Sequence, residues 1–592
     1  VWQNETLAVR GNGSENNPIT IGAYGEGAQP QFKGNGKVAD VIYLHNQSHV
    51  TIDNLDVSNA TEGFTGKTDG MTAANAQKVG DFRAIHITGD NQASTSEAVA
   101  SSDVTVQNST VHDVSGLDLW INSLNSTDSL SKPNGKYPGA FGSGGWDSSK
   151  RTGGIFAETA GGTGPATFAN VTVHNNTITN VSFGAFTIKQ WDGIGSAKKW
   201  AQTSRDAKAP EYADSNFHPH TNVEVTDNTI DQTGQYNGDG IYVTSTRGAH
   251  VQGNWVKQPG VCGIELYFVD NAVVENNEVF QSMRKAGGGD SNALDPDRHT
   301  TNAIFQYNYV HDNGDGVLIC GFAYNSTIFR YNVFKDNSEI WIRDSVGEKG
   351  GFIGFYNNIL LNTKDSQYNG SSTNITFANS NGGGGSADTW EYRNNIFVNT
   401  SDKITSTSFG STSTKNSFDT NVFWGPGVST TGTNALNIDP KFKDLEAAKN
   451  LGSGTDAHHR VTDFSSLELA EDSPLRYISG WNYSADDHSG QIVSKTNGLD
   501  YSGTAAVDGK TTIGLFNVKQ SDLQGNGTVS GTVKNASGAC VEGASVTVLD
   551  KDGKQVATAT TDANGNYSVA DVPAGANYTV EASHKDYYGT QK

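Results

Sequence analysis

VTVHNNTI at Val171–Ile178, VEVTDNTI at Val223–Ile230 and AVVENNEV at Ala272–Val279 are copies of one phrase. Each is a short alternation of β-branched or apolar residues, then Asn, then another apolar residue, which is the pattern of a brief half-buried strand running into a turn. Earlier copies stand at Val50 (VTIDNLDV) and Val104 (VTVQNSTV). Later ones follow at Ala303 (AIFQYNYV), Thr327 (TIFRYNVF) and Phe352 (FIGFYNNI), with weaker copies at Thr389 and Ser417. With the shared Asn as a register mark, the series reads Asn228, Asn254, Asn277, Asn308, Asn332, Asn357, Asn394 and Asn421, at intervals of 26, 23, 31, 24, 25, 37 and 27 residues by subtraction. A period of about 25 residues with several short strands each belongs to a solenoid. One rung cannot bury its own apolar face, so rungs must stack, each strand about 4.8 Å from its equivalent on the next. Parallel crossovers are right-handed. The sequence therefore predicts an all-β chain, a right-handed parallel β-helix, with the repeated Asn forming an internal ladder at a turn.

Departures from the period place the inserted loops. Long insertions at about 60–80, 118–166 and 192–220 interrupt the rungs and must project from an edge. They carry Trp120, Trp146, Trp191 and Trp200, residues suited to the walls of a sugar site. The solenoid is expected to close near DYSGTAAVDGKTTIGLF, residues 500–516, giving a β-helix domain over 1–520. Residues 527–592, with alternating strands and DKDG and DANGN turns, form a separate small C-terminal β-sandwich. This module resembles the prealbumin-like or carboxypeptidase-regulatory-like modules of bacterial surface proteins, which implies a stalk or spacer.

Composition limits the partners. The net charge is −22, with no compensating basic tract, which disfavours nucleic acid, anionic membranes and polyanionic sugars. No apolar run approaches the roughly 18 residues that a membrane span needs. The 3 cysteines, Cys262, Cys320 and Cys540, are too few for a disulfide framework, although Cys262 and Cys320 could be near neighbours. Val1 opens directly into strand-like sequence, so a missing N-terminal segment or a folding partner is expected.

A second strand follows each Asn phrase: GAFTIKQW from Gly184, DGIYVTS from Asp239, CGIELYF from Cys262, NALDPDR from Asn292, DGVLICG from Asp315 and EIWIRDS from Glu339. With the aliphatic residues inward, alternation turns their neighbours outward. One outward column reads Thr187, Tyr242, Glu265, Asp295, Leu318 and Trp341. The next reads Lys189, Thr244, Tyr267, Asp297, Cys320 and Arg343. Expected sugar contacts are Gln190, Trp191, Tyr242, Glu265, Tyr267, Asp295, Arg298, His299, Trp341 and Arg343. The 31-residue rung holds Asp290, Asp295 and Asp297 beside Arg298 and His299. Glycoside hydrolysis needs two carboxyls flanking the bond, one protonated and one ionised, and close acids on a strand or on adjacent rungs can supply the pair. The same acids could instead hold a structural Ca²⁺, or simply form turns.

The segment GGGDSNALDPDRHTTNAIFQYNYVHDNGDG, residues 287–316, together with a β-helix bearing inserted loops, resembles glycoside hydrolase family 136. That resemblance covers roughly 1–520. It implies a retaining bacterial lacto-N-biosidase that releases lacto-N-biose, Gal-β1,3-GlcNAc, from type-1 chain oligosaccharides. It also implies Asp290 as acid/base, Asp297 as nucleophile and Asp295 as a supporting group, with no cofactor required and an extracellular or cell-surface setting. Two other readings stay open. One is a polysaccharide lyase, for which Lys189, Arg343 and the acid cluster could serve. The other is a non-catalytic glycan-binding surface protein.

Overall fold

The structure is a computed structural model. It describes residues 1–62, 82–116, 152–159, 162–190, 217–233, 239–260, 262–283, 291–297, 300–320, 326–337, 339–343, 352–364, 374–380, 389–403, 406–408, 416–478, 480, 499–505, 511–518, 526–573 and 578–586. The chain is a right-handed parallel β-helix followed by a small antiparallel β-sandwich. Among the described residues the solenoid strands form a 13-stranded sheet and a 22-stranded sheet, and every strand pairs in parallel with its equivalents on neighbouring coils. The larger sheet holds two ladders, joined because the strands Ile241–Gln252 and Cys262–Glu275 run through the bend between them. The result is a three-faced coil.

The Asn ladder holds the coils in register. Asn228 donates from Nδ2 to Asn254 Oδ1 at 3.0 Å and to Val173 O at 2.9 Å, and its backbone N–H reaches the same Asn254 Oδ1 at 3.0 Å. The pattern runs from Asn176 through Asn228, Asn254, Asn277, Asn308, Asn332, Asn358 and Asn395 to Asn421. Two positions therefore differ from the expected series: the ladder residues are Asn358 and Asn395, not Asn357 and Asn394. Both rungs carry an Asn–Asn pair. In each, the first Asn takes the left-handed turn conformation, with φ of 56° at Asn357 and at Asn394. Asn tolerates that region better than most residues, so either member of a doublet could have been the ladder residue.

Inside the coil the apolar residues stack from rung to rung. Phe305, Phe329, Phe355, Tyr392 and Phe418 form one column with successive ring centroids 4.7, 4.7, 5.0 and 4.3 Å apart. Parallel offset rings at this spacing add to the burial of each side chain.

Among the described residues the last named strand of the coils is Val422–Trp424, which parallel bridges extend to Thr433 and Leu436. The chain then runs back along the 13-stranded sheet. Phe442, Phe464, Leu467, Leu475, Ile513 and Leu515 pack against Tyr309, Val333, Ile359, Ile396 and Val422 of that sheet. Trp255 Nε1 donates to Gly454 O at 3.0 Å, and Asn357 Nδ2 donates to Thr512 O and Gly514 O at 2.7 and 2.8 Å. An apolar sheet face left by the repeats is thereby covered.

In the C-terminal module, Asn526–Thr532 pairs antiparallel with Asn566–Pro573. Ser545–Leu549 lies between Gln555–Thr560 and Thr579–Ser583. Asp550 and Asp562 close its hairpins by accepting backbone N–H groups two and four residues on.

Cys262 is buried. Register carries Cys262 to Asn292 and then to Asp315, whereas Cys320 lies at the far end of the Asp315–Cys320 strand, opposite Arg343. Two coils and most of a strand separate the pair, too far for the roughly 7 Å Cα limit of a disulfide. They are not neighbours.

Candidate active site

The second-strand phrases fall on one face, in successive parallel strands Arg83–Gly89, Gly153–Thr159, Gly184–Gln190, Ile241–Gln252, Cys262–Glu275 and Asn292–Pro296. Ile85, Ile155, Phe186, Ile188, Ile241, Val243, Ile264 and Leu266 belong to the interior core, so the residues between them turn outward. Pairing then aligns His86, Phe156, Thr187, Tyr242, Glu265 and Asp295 in one outward column. Beside it, Thr88 pairs with Glu158 and Glu158 with Lys189, and further on Thr244 pairs with Tyr267. The register inferred from the alternation is the register observed. Instead of lying open along a groove, however, Thr187, Lys189, Tyr242, Glu265, Tyr267 and Asp295 are all buried, none more than 4% exposed.

The acids are held individually. Glu265 and Asp295 are Cα partners on adjacent strands. Asp295 Oδ2 accepts from Asn292 Nδ2 at 2.9 Å and from the Cys262 thiol at 3.3 Å, and Asn292 Nδ2 also reaches Cys262 Sγ at 3.0 Å. Asp297 follows at the strand end, partly exposed, its N–H bonded to Leu266 O at 2.8 Å and its carbonyl accepting from Thr300 N at 3.1 Å. Asp239 Oδ1 accepts from Cys262 N at 3.1 Å. The ligand-type atoms of Asp239, Cys262 and Glu265 lie within 4.8 Å of one another. One thiol and two carboxylates form a donor set suited to Zn²⁺ rather than to Ca²⁺, which takes oxygen ligands.

Three and four coils from Glu265 towards the N-terminus, the same face carries a second charged group. His86 Nε2 lies 3.1 Å from Glu158 Oε1 and its Nδ1 lies 2.9 Å from Asp40 Oδ1, while Arg83 Nε also meets Asp40. Burial alone would raise the Glu158 carboxyl. The hydrogen bond and charge of His86, with Lys189 and Arg83, more than offset it and hold Glu158 at about 2. Asp40 is likewise held at about 2, burial being outweighed by His86 and Arg83. Lys189 Nζ sits 5.6 Å from the centroid of Phe156.

The remaining expected sugar contacts fall as follows. Tyr242 packs edge-on against Phe183 at 5.5 Å and Tyr267 against Phe268 at 4.8 Å. Gln190 is committed to the fold, its Nε2 donating to Ala166 O at 2.9 Å and to His218 O at 2.8 Å across the bend. Trp341 and Arg343 are placed by backbone register opposite Leu318 and Cys320. Asp290, Trp191, Arg298 and His299 lie outside the described residues.

Asp40, His86, Glu158, Asp239 and Asn292 were not singled out from the sequence. The signal for two of them was present: RAIHITG at Arg83 and GGIFAET at Gly153 share the alternation of GAFTIKQ, and extending the outward columns two coils upstream reaches His86 and Glu158.

The family model described as "Carboxypeptidase regulatory-like domain" matches residues 528–592, the C-terminal module. No curated protein matches the chain. Among solved structures, a lacto-N-biosidase of glycoside hydrolase family 136 from Eubacterium ramulus is similar at 20% identity and a TM-score of 0.47, over 67% of this chain and 60% of that one. This chain thus spans less than two thirds of that protein's length. Pectate lyase Pel9A is similar at 10% identity and a TM-score of 0.37, over 80% of this chain and 88% of its own. Likenesses this remote assign no residue roles. Among the described residues no helix is long and apolar enough to cross a membrane.

Proposed function

We propose that this chain is a retaining glycoside hydrolase of the cell surface or extracellular space, releasing lacto-N-biose from type-1 chain oligosaccharides such as lacto-N-tetraose. The observation that carries the reading is the side-by-side placement of Glu265 and Asp295 on one sheet face, with Asp297 two residues beyond. The likeness of residues 287–316 to family 136 supplies the roles: Asp290 protonates the leaving oxygen and later activates water, and Asp297 attacks the anomeric carbon. Tyr242, Glu265, Tyr267 and Asp295 then hold the sugar. No cofactor is needed for these steps.

A glycosidase accounts for the charges better than a lyase does. A lyase needs a cation to neutralise its uronate, whereas Arg83 and Lys189 on this face already interact with Asp40 and Glu158. The test is proton NMR of the first product formed. A retaining enzyme yields the β-anomer of lacto-N-biose before mutarotation. An α-anomer first, or ultraviolet-absorbing unsaturated ends, contradicts the reading.

A further inference from the structure

Asp239, Cys262 and Glu265 are all buried, and one ligand-type atom of each lies within 4.8 Å of the other two. They come from two adjacent coils: Asp239 lies just before the strand Ile241–Gln252, and Cys262 and Glu265 stand on Cys262–Glu275. The hydrogen bond from Cys262 N to Asp239 Oδ1 ties the first carboxylate to the coil that carries the thiol. Two carboxylates and a thiol this close repel one another once ionised, and buried groups of that kind are paired or gathered around a metal. A second observation comes from the next coil. Asn292, the Cα partner of Cys262, is fully buried, and its Nδ2 donates to Cys262 Sγ at 3.0 Å. Such a bond favours the thiolate, the form that binds metal. Asn292 Oδ1, on the same amide, is shielded from water and meets no hydrogen-bond partner among the described residues. An unmet acceptor beside the thiol calls for a donor that the chain itself does not supply.

We infer that Asp239, Cys262 and Glu265 bind one divalent cation of the zinc class, whose fourth ligand is a water that donates to Asn292 Oδ1. Zn²⁺ takes thiolate and carboxylate ligands at about 2.0–2.3 Å, so two ligands of one ion stand no more than about 4.6 Å apart. Small side-chain rotations close the observed spacing to that value. Ca²⁺ takes oxygen ligands and is the poorer fit to the sulfur. The thiol proton leaves to solvent, the sulfur lone pair forms the bond to the ion, and no electron is transferred. An ion bound as the chain folds needs no channel through the finished coil. One oxygen of Glu265 on the ion leaves the other for a sugar hydroxyl, so the site stands beside the proposed hydrolysis and does not rest on it.

The experiment is to produce the full chain in medium supplemented with Zn²⁺, Co²⁺ or Ca²⁺ and to measure bound metal, absorption spectrum and melting temperature. About one Zn²⁺ or Co²⁺ per chain is expected, with a sulfur-to-cobalt charge-transfer band in the cobalt form. Removing the ion with a chelator should lower the melting temperature by several degrees. Cys262→Ser should abolish the band, whereas Cys320→Ser and Cys540→Ser should keep it. Asp239→Asn and Glu265→Gln preserve shape and are expected to weaken retention of Zn²⁺ against the chelator tenfold or more; they carry the test if Cys262→Ser does not fold. A folded parent that retains no Zn²⁺ or Co²⁺, a band that survives Cys262→Ser, unchanged retention in Asp239→Asn and Glu265→Gln, or Ca²⁺ held as firmly as Zn²⁺ overturns the site. None of these readouts depends on turnover, so the glycosidase reading is judged separately.

Discussion

Asn292 and Cys262 both donate to the same oxygen of Asp295, at 2.9 and 3.3 Å, and so orient a carboxylate whose Cα partner is Glu265. A charge-assisted hydrogen bond of this kind is worth roughly 1.5–3 kcal/mol. Asn292→Ala is therefore expected to lower kcat/KM on lacto-N-tetraose roughly ten- to a hundredfold, and Cys262→Ser, which keeps a donor, to lower it less. Steady-state kinetics on the two variants checks this. Equal losses would show that the thiol does more than donate.

The ladder sets the stability of the coil. Asn277 accepts from Asn254 Nδ2 and from Asn254 N, and donates to Asn308 Oδ1 and to Val251 O. Asn277→Ala leaves several buried groups unmet at about 1–3 kcal/mol each, so unfolding in denaturant should shift by about 3 kcal/mol or more. A shift below 1 kcal/mol would show that the ladder is decoration on a coil held by its apolar core.

Stability should decline on acidification in two windows. Burial pushes His220 down from 6.5 to about 4. Between these values the unfolded chain holds the proton and the folded chain does not, so stability falls as pH drops from 6.5 to 4. Glu158 and Asp40 are held at about 2 in the folded chain, against ordinary values of 4.5 and 3.8. Their contribution is complete above about 4.5 and is lost as pH falls towards 2. Scanning calorimetry against pH checks both windows. His220→Asn should flatten the upper one, and Glu158→Gln should flatten the lower one. A parent whose melting temperature holds from pH 6.5 to 4 contradicts the assignment of His220.

The returning segment is fastened at Glu278, a fully buried carboxylate that accepts from Gly454 N and Val461 N at 2.7 and 2.8 Å and meets His311 Nε2 at 3.2 Å. Glu278→Ala should raise hydrogen exchange across residues 450–461 by tenfold or more while the coil strands keep their protection. Uniform loosening of the whole chain would show instead that the segment and the coils unfold as one unit.

Much of the fold could be read from the sequence because its physics is local. A period of about 25 residues, β-branched alternation and an Asn at each turn specify stacked coils, and the outward columns followed from alternation alone. Where two Asn residues adjoin, as at Asn357–Asn358 and Asn394–Asn395, local propensity cannot say which turns inward, and the ladder there moved by one residue. The returning segment was invisible because it has no repeat; it is held by contacts such as that between Glu278 and Gly454, 176 residues apart. The approach of His86 to Glu158 was obscured by their separation of 72 positions in the sequence, a stretch that takes in most of one long insertion.

Incubation of the protein with lacto-N-tetraose, beside Asp290→Asn and Asp297→Asn, tests the glycosidase reading most directly. Release of lacto-N-biose and lactose by the parent, lost in both folded variants, is the expected result. A folded parent that leaves lacto-N-tetraose intact, or variants that cleave it as fast as the parent, would contradict the reading.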